Sequence, residues 1–342
     1  MRHVNIPIFI PHLGCPNQCV FCNQRTISGV EKFDPKSVRE QIDQALETIE
    51  TDADVEIAFF GGSFTGIDRE LMIELLEIGY SYIKTKKVKS LRCSTRPDYI
   101  DGEIIGILKR YGVKTVELGL QTSNDYVLEK TKRGHYFESE KRSCRLIVES
   151  DLNLVGQMMI GLPGADLDSE LETARFIINA GARAARIYPT VVFRETELCQ
   201  MALDGEYTPL GLDDAISRSA RVLALFVDAG VEVIRIGLQA SEGLRSEDSY
   251  VAGPNHPALG ELIIGEYYYE KITNILSRAN VAFDEHITIL VKSGSLSKAI
   301  GQNARNKTRL KAVYKNIRFA ESDGLLDYEV SVITRNGEIK CI

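Results

Sequence analysis

Apolar positions in the first 240 residues fall into two alternating rhythms. Short apolar runs at 4–10, 55–60, 90–95, 115–120, 154–160 and 185–192 predict strands. Longer amphipathic stretches at 35–49, 68–83, 101–111, 124–132, 139–150, 167–180 and 212–229 predict helices, and 231–238 adds a further strand. Regular β-α alternation implies a parallel sheet with crossover helices, so the expected class is α/β, an open (β/α)6-type barrel.

The unusual residues gather where these strands end. Cys15, Cys19 and Cys22 follow the first strand, Gly61-Gly62-Ser63 the second, and Thr95-Arg96-Pro97 the third. Glu117 and Gln121 flank the end of the fourth, Gly161-Leu162-Pro163-Gly164 follow the fifth, and Tyr188-Pro189-Thr190 interrupt the sixth. Parallel barrels build their active sites at this carboxyl edge, so the clustering predicts an enzyme.

The cysteines carry the strongest chemical signal. Thiols spaced C-x3-C-x2-C on one tight loop can hold three irons of a [4Fe–4S] cube and leave the fourth open to a ligand. A closed zinc site is the alternative, and its fourth ligand would come from His12 or a distant cysteine. Bare thiols are the third reading. Disulfides do not suit seven cysteines, three of them in one turn. Cys93, Cys144, Cys199 and Cys341 show no C-x2-C pairing, so a second cluster is not expected and each reads as a small apolar core residue.

Composition narrows the setting. The 342 residues suffice for one large domain and a small one, and 44% hydrophobic with 26% charged residues is a globular balance. No run is long enough to span a membrane and the N-terminus lacks an export pattern, so a reducing cytoplasm is the expected location. The net charge of −7 is uneven: residues 286–318 hold eight Lys or Arg and no acid, which leaves 33 basic against 48 acidic residues elsewhere. An acidic body with one basic segment predicts a local anion-binding surface.

These residues resemble a known family. Cys15, Cys19 and Cys22 followed by Gly61-Gly62-Ser63-Phe64 are similar to the radical S-adenosylmethionine (SAM) superfamily. Val116-Glu117-Leu118-Gly119-Leu120-Gln121-Thr122, Thr131-Lys132-Arg133-Gly134-His135 and Ile187-Tyr188-Pro189-Thr190 resemble the radical-SAM half of the Elongator catalytic subunit. A weaker likeness runs to the oxygen-independent coproporphyrinogen oxidases.

The resemblance implies a partial (β/α)6 radical-SAM barrel over 1–240. It implies a [4Fe–4S] cluster on Cys15, Cys19 and Cys22, with SAM on the open iron and reductive cleavage to a 5′-deoxyadenosyl radical. By the same likeness Gly61, Gly62 and Ser63 receive the methionyl amino group, because glycine lets backbone approach a ligand closely. Gln121, Arg133 and Gln157 match ribose and carboxylate contacts, and Gly161 the turn that closes on adenine. Arg96 and Glu117 complete the expected cofactor-binding set, with a Glu117–Arg96 pair as the other reading of that carboxylate. Ser94 stands where relatives often carry glutamate. An external electron donor such as flavodoxin or ferredoxin is the implied partner. Nothing in these residues corresponds to the acetyltransferase domain of the Elongator subunit, so acetyl-dependent chemistry is not carried over.

The remainder is expected to comprise a linker and helix over 241–280 and a basic α+β module over 281–342. The polar stretch 241–248 reads as the linker, and His256 as a helix cap or a residue reaching the barrel mouth. Strand 287–291, helix 296–300, the turn Gly301-Gln302-Asn303-Ala304, helix 305–314 and strands 317–320 and 328–333 resemble a KH module, whose GXXG loop clamps nucleic-acid backbone. Ala304 replaces the second glycine. Lys298, Gly301, Gln302, Asn303, Arg305 and Lys307 are the expected RNA-binding residues, with tRNA as the expected partner and neither DNA nor membrane. Two other functions stay open: a radical-SAM enzyme acting on a small acidic metabolite, and a non-catalytic iron–sulfur RNA-binding sensor.

Overall fold

Side chains on a strand alternate between its two faces, and here one face meets helices while the other lines a concavity. The strands are β1 (His3–Ile10), β2 (Asp54–Gly61), β3 (Ser90–Thr95), β4 (Val113–Gln121), β5 (Asn153–Ile160), β6 (Ala184–Pro189) and, beyond a short β7 (Val192–Phe193), β8 (Glu232–Ile236). The computed structural model describes residues 3–10, 13–15, 19–23, 33–50, 52–238, 249–335 and 337–341; His12 and the expected linker 241–248 lie outside the described residues. Among the described residues seven strands form one parallel sheet in the order β1-β2-β3-β4-β5-β6-β8.

Ile6 and Ile8, Ile57 and Phe59, and Leu118 and Leu120 project into one continuous aliphatic core. Over it lie α1 (Val38–Glu47), α2 (Arg69–Lys84), α3 (Gly102–Arg110), α4 (Asp125–Lys130), α5 (Phe137–Glu149), α6 (Leu167–Asn179) and, after α7 (Glu197–Leu203), α8 (Leu212–Asp228). Their starts are set by side chains. Asp68 accepts from the N–H groups of Glu70 and Leu71, Asp101 from Ile104, and Asp166 forms a capping box with Ser169. Each such cap contributes about 1 kcal/mol.

The concave face is charged. Ser90 Oγ donates to Glu56 Oε1 at 2.5 Å, and Arg92 Nε lies 3.3 Å from Glu56 Oε2. Arg92 Nη1 reaches Glu117 Oε1 at 3.1 Å, and Arg186 Nη2 donates to the same oxygen at 3.1 Å. Arg186 Nε sits 2.8 Å from Glu117 Oε2, an ionic contact too bent for a hydrogen bond. The expected Glu117–Arg96 pair is therefore replaced. On the sheet Glu117 shares its face with Arg92 and Arg186, whereas Arg96 lies past the end of β3 and chelates Asp98 instead. Arg186 on β6 also lies 5.5 Å from the ring centre of Phe60 on β2. In a flat sheet those strands would stand about 19 Å apart, four spacings of about 4.8 Å. The contact requires the sheet to curl, which makes it a half-barrel.

Two elements depart from the sequence reading. The sixth strand stops at Pro189, and Val192–Phe193 turn away to pair antiparallel with β9 (Tyr250–Ala252). α7, of seven residues, is too short to show a helical period in sequence.

Beyond the barrel come α9 (Leu259–Arg278), β10 (His286–Lys292), α10 (Leu296–Ile300), α11 (Arg305–Lys311), β11 (Asn316–Ser322), β12 (Val330–Thr334) and β13 (Gly337–Cys341). Their sheet has the order β11-β10-β12-β13, with β10 and β11 parallel. The strand β13 was not expected from sequence. His256 Nδ1 accepts from the Ala258 N–H at 3.1 Å, so it caps the approach to α9. Tyr267 and Tyr268 are buried and pack around Tyr328. No helix among the described residues is long and apolar enough to cross a membrane.

Removing Glu117 leaves Arg186, whose side chain is 15% exposed, without a carboxylate among the described residues and Arg92, 11% exposed, with Glu56 alone. Glu117→Ala is expected to lower the unfolding free energy by about 3–5 kcal/mol, the cost of breaking a buried ion pair, measured by urea denaturation against wild type.

Candidate active site

The turn after β1 interlocks with the turn after β2. Gly62 donates its N–H to Ile10 O at 3.1 Å, and Ser63 donates to Leu13 O at 3.2 Å. Gly14 (φ +74°) and Gly61 (φ +120°) occupy conformations suited to glycine, and a Cβ on either would lie 2.2–2.4 Å from a backbone oxygen of the facing turn. With their N–H groups taken, Gly62 and Ser63 have backbone carbonyls, not amides, left to offer a ligand. An ammonium needs acceptors. Ser63 Oγ and Thr65 Oγ1 bond Thr95 Oγ1 at 2.8 and 2.6 Å, and the Arg96 N–H donates to Ser63 Oγ at 3.2 Å. These bonds fasten the end of β2 to the end of β3.

The cysteine loop is held from the other side. Val20 donates its N–H to Thr131 O at 3.2 Å, Leu198 donates to Val20 O at 2.8 Å, and Cys22 donates to Cys19 O at 2.9 Å. Cys19 is buried, and two guanidinium groups reach its sulfur: Arg133 Nη1 at 3.3 Å and Arg96 Nη1 at 3.7 Å. Arg96 is clamped by Asp98 through two bonds of 2.9 and 2.8 Å and also donates to the Arg133 carbonyl. Arg133 donates to the Gly119 carbonyl, and no carboxylate pairs with it among the described residues. Its buried Nε has no partner among the described residues. Burial pushes the Cys15 thiol up, against the pull of Arg96, so a metal binding there must displace its proton.

Gln121 sits at a β-bulge of β4 with φ +71°, and Gln157 Nε2 donates to Gln121 Oε1 at 3.4 Å. The bulge re-aims Gln121 toward Arg133 at the sheet edge. Gly161 has both backbone groups engaged: its N–H donates to Glu170 Oε1 at 2.6 Å, and its carbonyl accepts from the Tyr207 hydroxyl at 2.7 Å. The fold thus assembles Cys15, Cys19, Gly61, Gly62, Ser63, Arg96, Gln121, Arg133 and Gln157 at one edge. Glu117 lies deeper, with both oxygens occupied.

Thr95, Asp98, His135 and Glu140 were not named as site residues from sequence, although Thr95 stands in the Thr95-Arg96-Pro97 strand end. His135, within the quoted Thr-Lys-Arg-Gly-His motif, was the available signal. Its Nε2 lies 3.1 Å from Glu140 Oε1, and its Nδ1 faces Asp98 Oδ1 at 3.6 Å. Cys93 and Cys144 are buried, and burial pushes both thiols up to about 12. Cys199 packs against a small cluster around Val20 and Leu198. The Cys341 side chain lies outside the described residues.

Among the described residues no three His, Cys, Asp or Glu side chains converge as a single ion would require. The thiolates of a cubane bind separate irons. A thiolate donor set, a buried cation lacking a carboxylate and a turn that offers acceptors fit an iron–sulfur cluster with an amino-acid ligand.

The basic segment looks different once folded. Lys292 pairs with Asp327 at 2.7 Å, Arg305 with Asp213 at 3.0 Å and Arg309 with Glu266 at 2.6 Å. The segment is free of acids in sequence but not in space. Lys298, Lys307 and Lys311 pair with no acid among the described residues. Asn306 Nδ2 donates to Gly265 O at 2.7 Å and Ala299 O at 3.1 Å, pinning the Gly301-Gln302-Asn303-Ala304 turn to α9. Ala304 holds φ +58°, a conformation glycine would adopt at lower cost.

Sequence patterns of known families match this arrangement. The Radical SAM superfamily pattern covers residues 9–177, and that of the Radical_SAM C-terminal domain covers 182–269. An uncharacterised protein of Methanocaldococcus jannaschii is 30% identical over 224 residues, covering 62% of this chain and 68% of its own. The Elongator complex protein 3 of Bos taurus is 27% identical over 63% of this chain, and a tRNA uridine(34) acetyltransferase of M. jannaschii 31% identical over 45%. This chain spans only 47% and 29% of those two proteins. The archaeal Elp3 of Methanocaldococcus infernus shares the fold, with a TM-score of 0.62 at 23% identity, over 79% of this chain and 63% of that one.

The His135–Glu140 pair makes stability depend on pH. Burial holds the Glu140 carboxyl well above its usual range; burial first, then Arg133, pushes His135 down to about 4. In the fold both shifts favour the neutral pair, with its one proton on Glu140. Unfolded, it also carries one between pH 4.5 and 6.5, on the histidine, so stability is flat there. Above pH 6.5 the unfolded pair carries none, and stability falls with rising pH by up to about 1.4 kcal/mol per unit. Denaturation series from pH 6 to 8.5 are expected to show wild type declining relative to Glu140→Gln; parallel curves would refute the assignment.

Proposed function

The chain belongs to the radical SAM superfamily and is an enzyme with a [4Fe–4S] cluster and SAM as its cofactors, and we propose that its substrate is an RNA of tRNA type. The observation that carries this reading is the set of unpaired lysines, Lys298, Lys307 and Lys311, around a left-handed turn in a chain whose relatives include a protein named for acetylating tRNA uridine(34). Uncompensated cations beside an exposed turn attract a phosphate backbone. In this reading the module over 281–342 presents RNA to the barrel of 1–240, joined by the segment 241–280.

On this reading Cys15, Cys19 and Cys22 hold the cluster, and Arg133, helped by Arg96, donates to the sulfur of Cys19. Held on these cysteines and reduced, the cluster would supply the one-electron chemistry that cleaves SAM to methionine and a 5′-deoxyadenosyl radical. The Gly61-Gly62-Ser63 turn accepts the methionyl ammonium, and Arg133 turns its unpartnered Nε to the carboxylate. Gln121 and Gln157 take the ribose hydroxyls, and Gly161 walls the adenine. Glu117 leaves the cofactor set and becomes a residue that positions Arg92 and Arg186. The electron comes from an external donor such as flavodoxin or ferredoxin.

Anaerobic protein given SAM and dithionite is expected to release 5′-deoxyadenosine, and Cys19→Ala to lose at least 100-fold, read by chromatography. RNA affinity is expected to fall with salt. Changing Lys298, Lys307 and Lys311 together to Glu should flatten the slope of log affinity against log salt by about 2–3. Arg305→Glu, whose partner is Asp213, should change it less. Unaltered RNA binding in the triple variant counts against the RNA reading.

A further inference from the structure

Among the described residues the concave face holds one more cation than its acids pair with. Across the sheet Glu56, Arg92, Glu117 and Arg186 alternate in charge, and the register then sets Arg235 of β8 directly beside Arg186. Arg235 is half-buried and forms no ion pair among the described residues. Glu117 cannot serve it, because both of its oxygens are shared by Arg92 and Arg186. Like charges opposite one another on neighbouring strands repel, so the edge is in want of an anion.

Its surroundings suit a particular kind of anion. Arg186 Nη1 donates to the Tyr188 hydroxyl at 3.2 Å, leaving the phenol proton to donate onward. The same guanidinium sits 5.5 Å from the ring centre of Phe60, and Phe9 lies 6.2 Å from Phe60 and is 37% exposed. An exposed phenylalanine on a polar concave face offers a stacking surface without its own occupant. Arg186 joins these parts: it stands beside Arg235, bonds Tyr188 and meets the ring of Phe60.

We propose that this edge binds the part of the substrate bearing an oxyanion, a carboxylate or a phosphate, on Arg235 and Tyr188, with an adjoining planar group on Phe60 and Phe9. The site rests on the reading that the substrate's reacting portion enters the barrel. It adds that this portion is anionic and flat. Arg186 acts as a positioning residue, held by Glu117 and orienting Tyr188.

Two probes separate the possible sources of the oxyanion. Uridine 5′-monophosphate joins a planar base to a phosphate, and benzoate joins a planar ring to a carboxylate. Each is titrated calorimetrically into anaerobic, cluster-loaded wild-type, Arg235→Gln, Phe9→Ala and Lys114→Gln protein. At least one probe is expected to bind wild type and to weaken tenfold or more in Arg235→Gln. A threefold or greater loss is expected in Phe9→Ala and no change in Lys114→Gln, whose residue is exposed on β4. A preference for the nucleotide identifies a phosphate-bearing substrate, and a preference for benzoate a carboxylate. Failure of both probes to bind at millimolar concentration, equal binding by Arg235→Gln, or equal loss in Lys114→Gln overturns the proposal. Circular dichroism of Arg235→Gln, which has no ion pair to lose among the described residues, shows that the variant is folded. The titration uses neither reductant nor RNA, so failure of the RNA reading leaves its outcome unchanged.

Discussion

A buried guanidinium without a carboxylate is the constraint on which the site depends. Arg133 is 4% exposed, bonds one carbonyl and one sulfur, and leaves Nε with no partner among the described residues. Withdrawing a charge from water costs several kcal/mol unless an anion compensates it. The nearby carboxyl groups do not supply one: Asp98 is committed to Arg96, and Glu140 is held neutral by burial. What remains is thiolate sulfur and whatever ligand the sulfur-bound iron holds. The barrel therefore carries an electrostatic demand that a metal-bound thiolate and an amino-acid carboxylate would meet.

Around that cation the fold invests in rigidity. The hydroxyl chain from Ser63 and Thr65 through Thr95 ties two strand ends together, and glycine contacts seat the cysteine turn against the turn after β2. The Glu56–Arg92–Glu117–Arg186 ladder does comparable work on the concave face. It links β2, β3, β4 and β6 through side chains where an all-apolar lining would leave no polar floor. Its charges alternate from β2 through β3 to β4 and then reach over β5 to β6, and among the described residues the order ends in an unmatched arginine at the open edge.

The small C-terminal module shares this economy. Asn306 satisfies two carbonyls with one amide and thereby fixes the turn between α10 and α11. Ion pairs to Asp213 and Glu266 tether α11 to the helices beside it, α8 and α9. Some of the basic residues thus hold the module together, and Lys298, Lys307 and Lys311 retain the field that reaches solvent.

Short-range pattern was enough for much of this. Period-two and period-3.6 spacing located the barrel strands and the helices over them, because burial of one face imposes that spacing wherever a parallel sheet is covered. The three cysteines and the Gly-Gly-Ser turn were legible because their chemistry demands particular residues at particular separations. Pairing was not legible. Glu117 met Arg92 and Arg186 in place of Arg96, and the run of basic residues met acids about 100 positions away in one case and about 40 in another, because ion pairs form across the sheet and between helices, where sequence distance carries no information. The same holds for the protonation of Glu140, the unmet charge of Arg133 and the surplus at Arg235. Residue types and their spacing decide the elements and the ligands that chemistry requires; only the curl of the sheet decides which charges face one another and which are left without a partner.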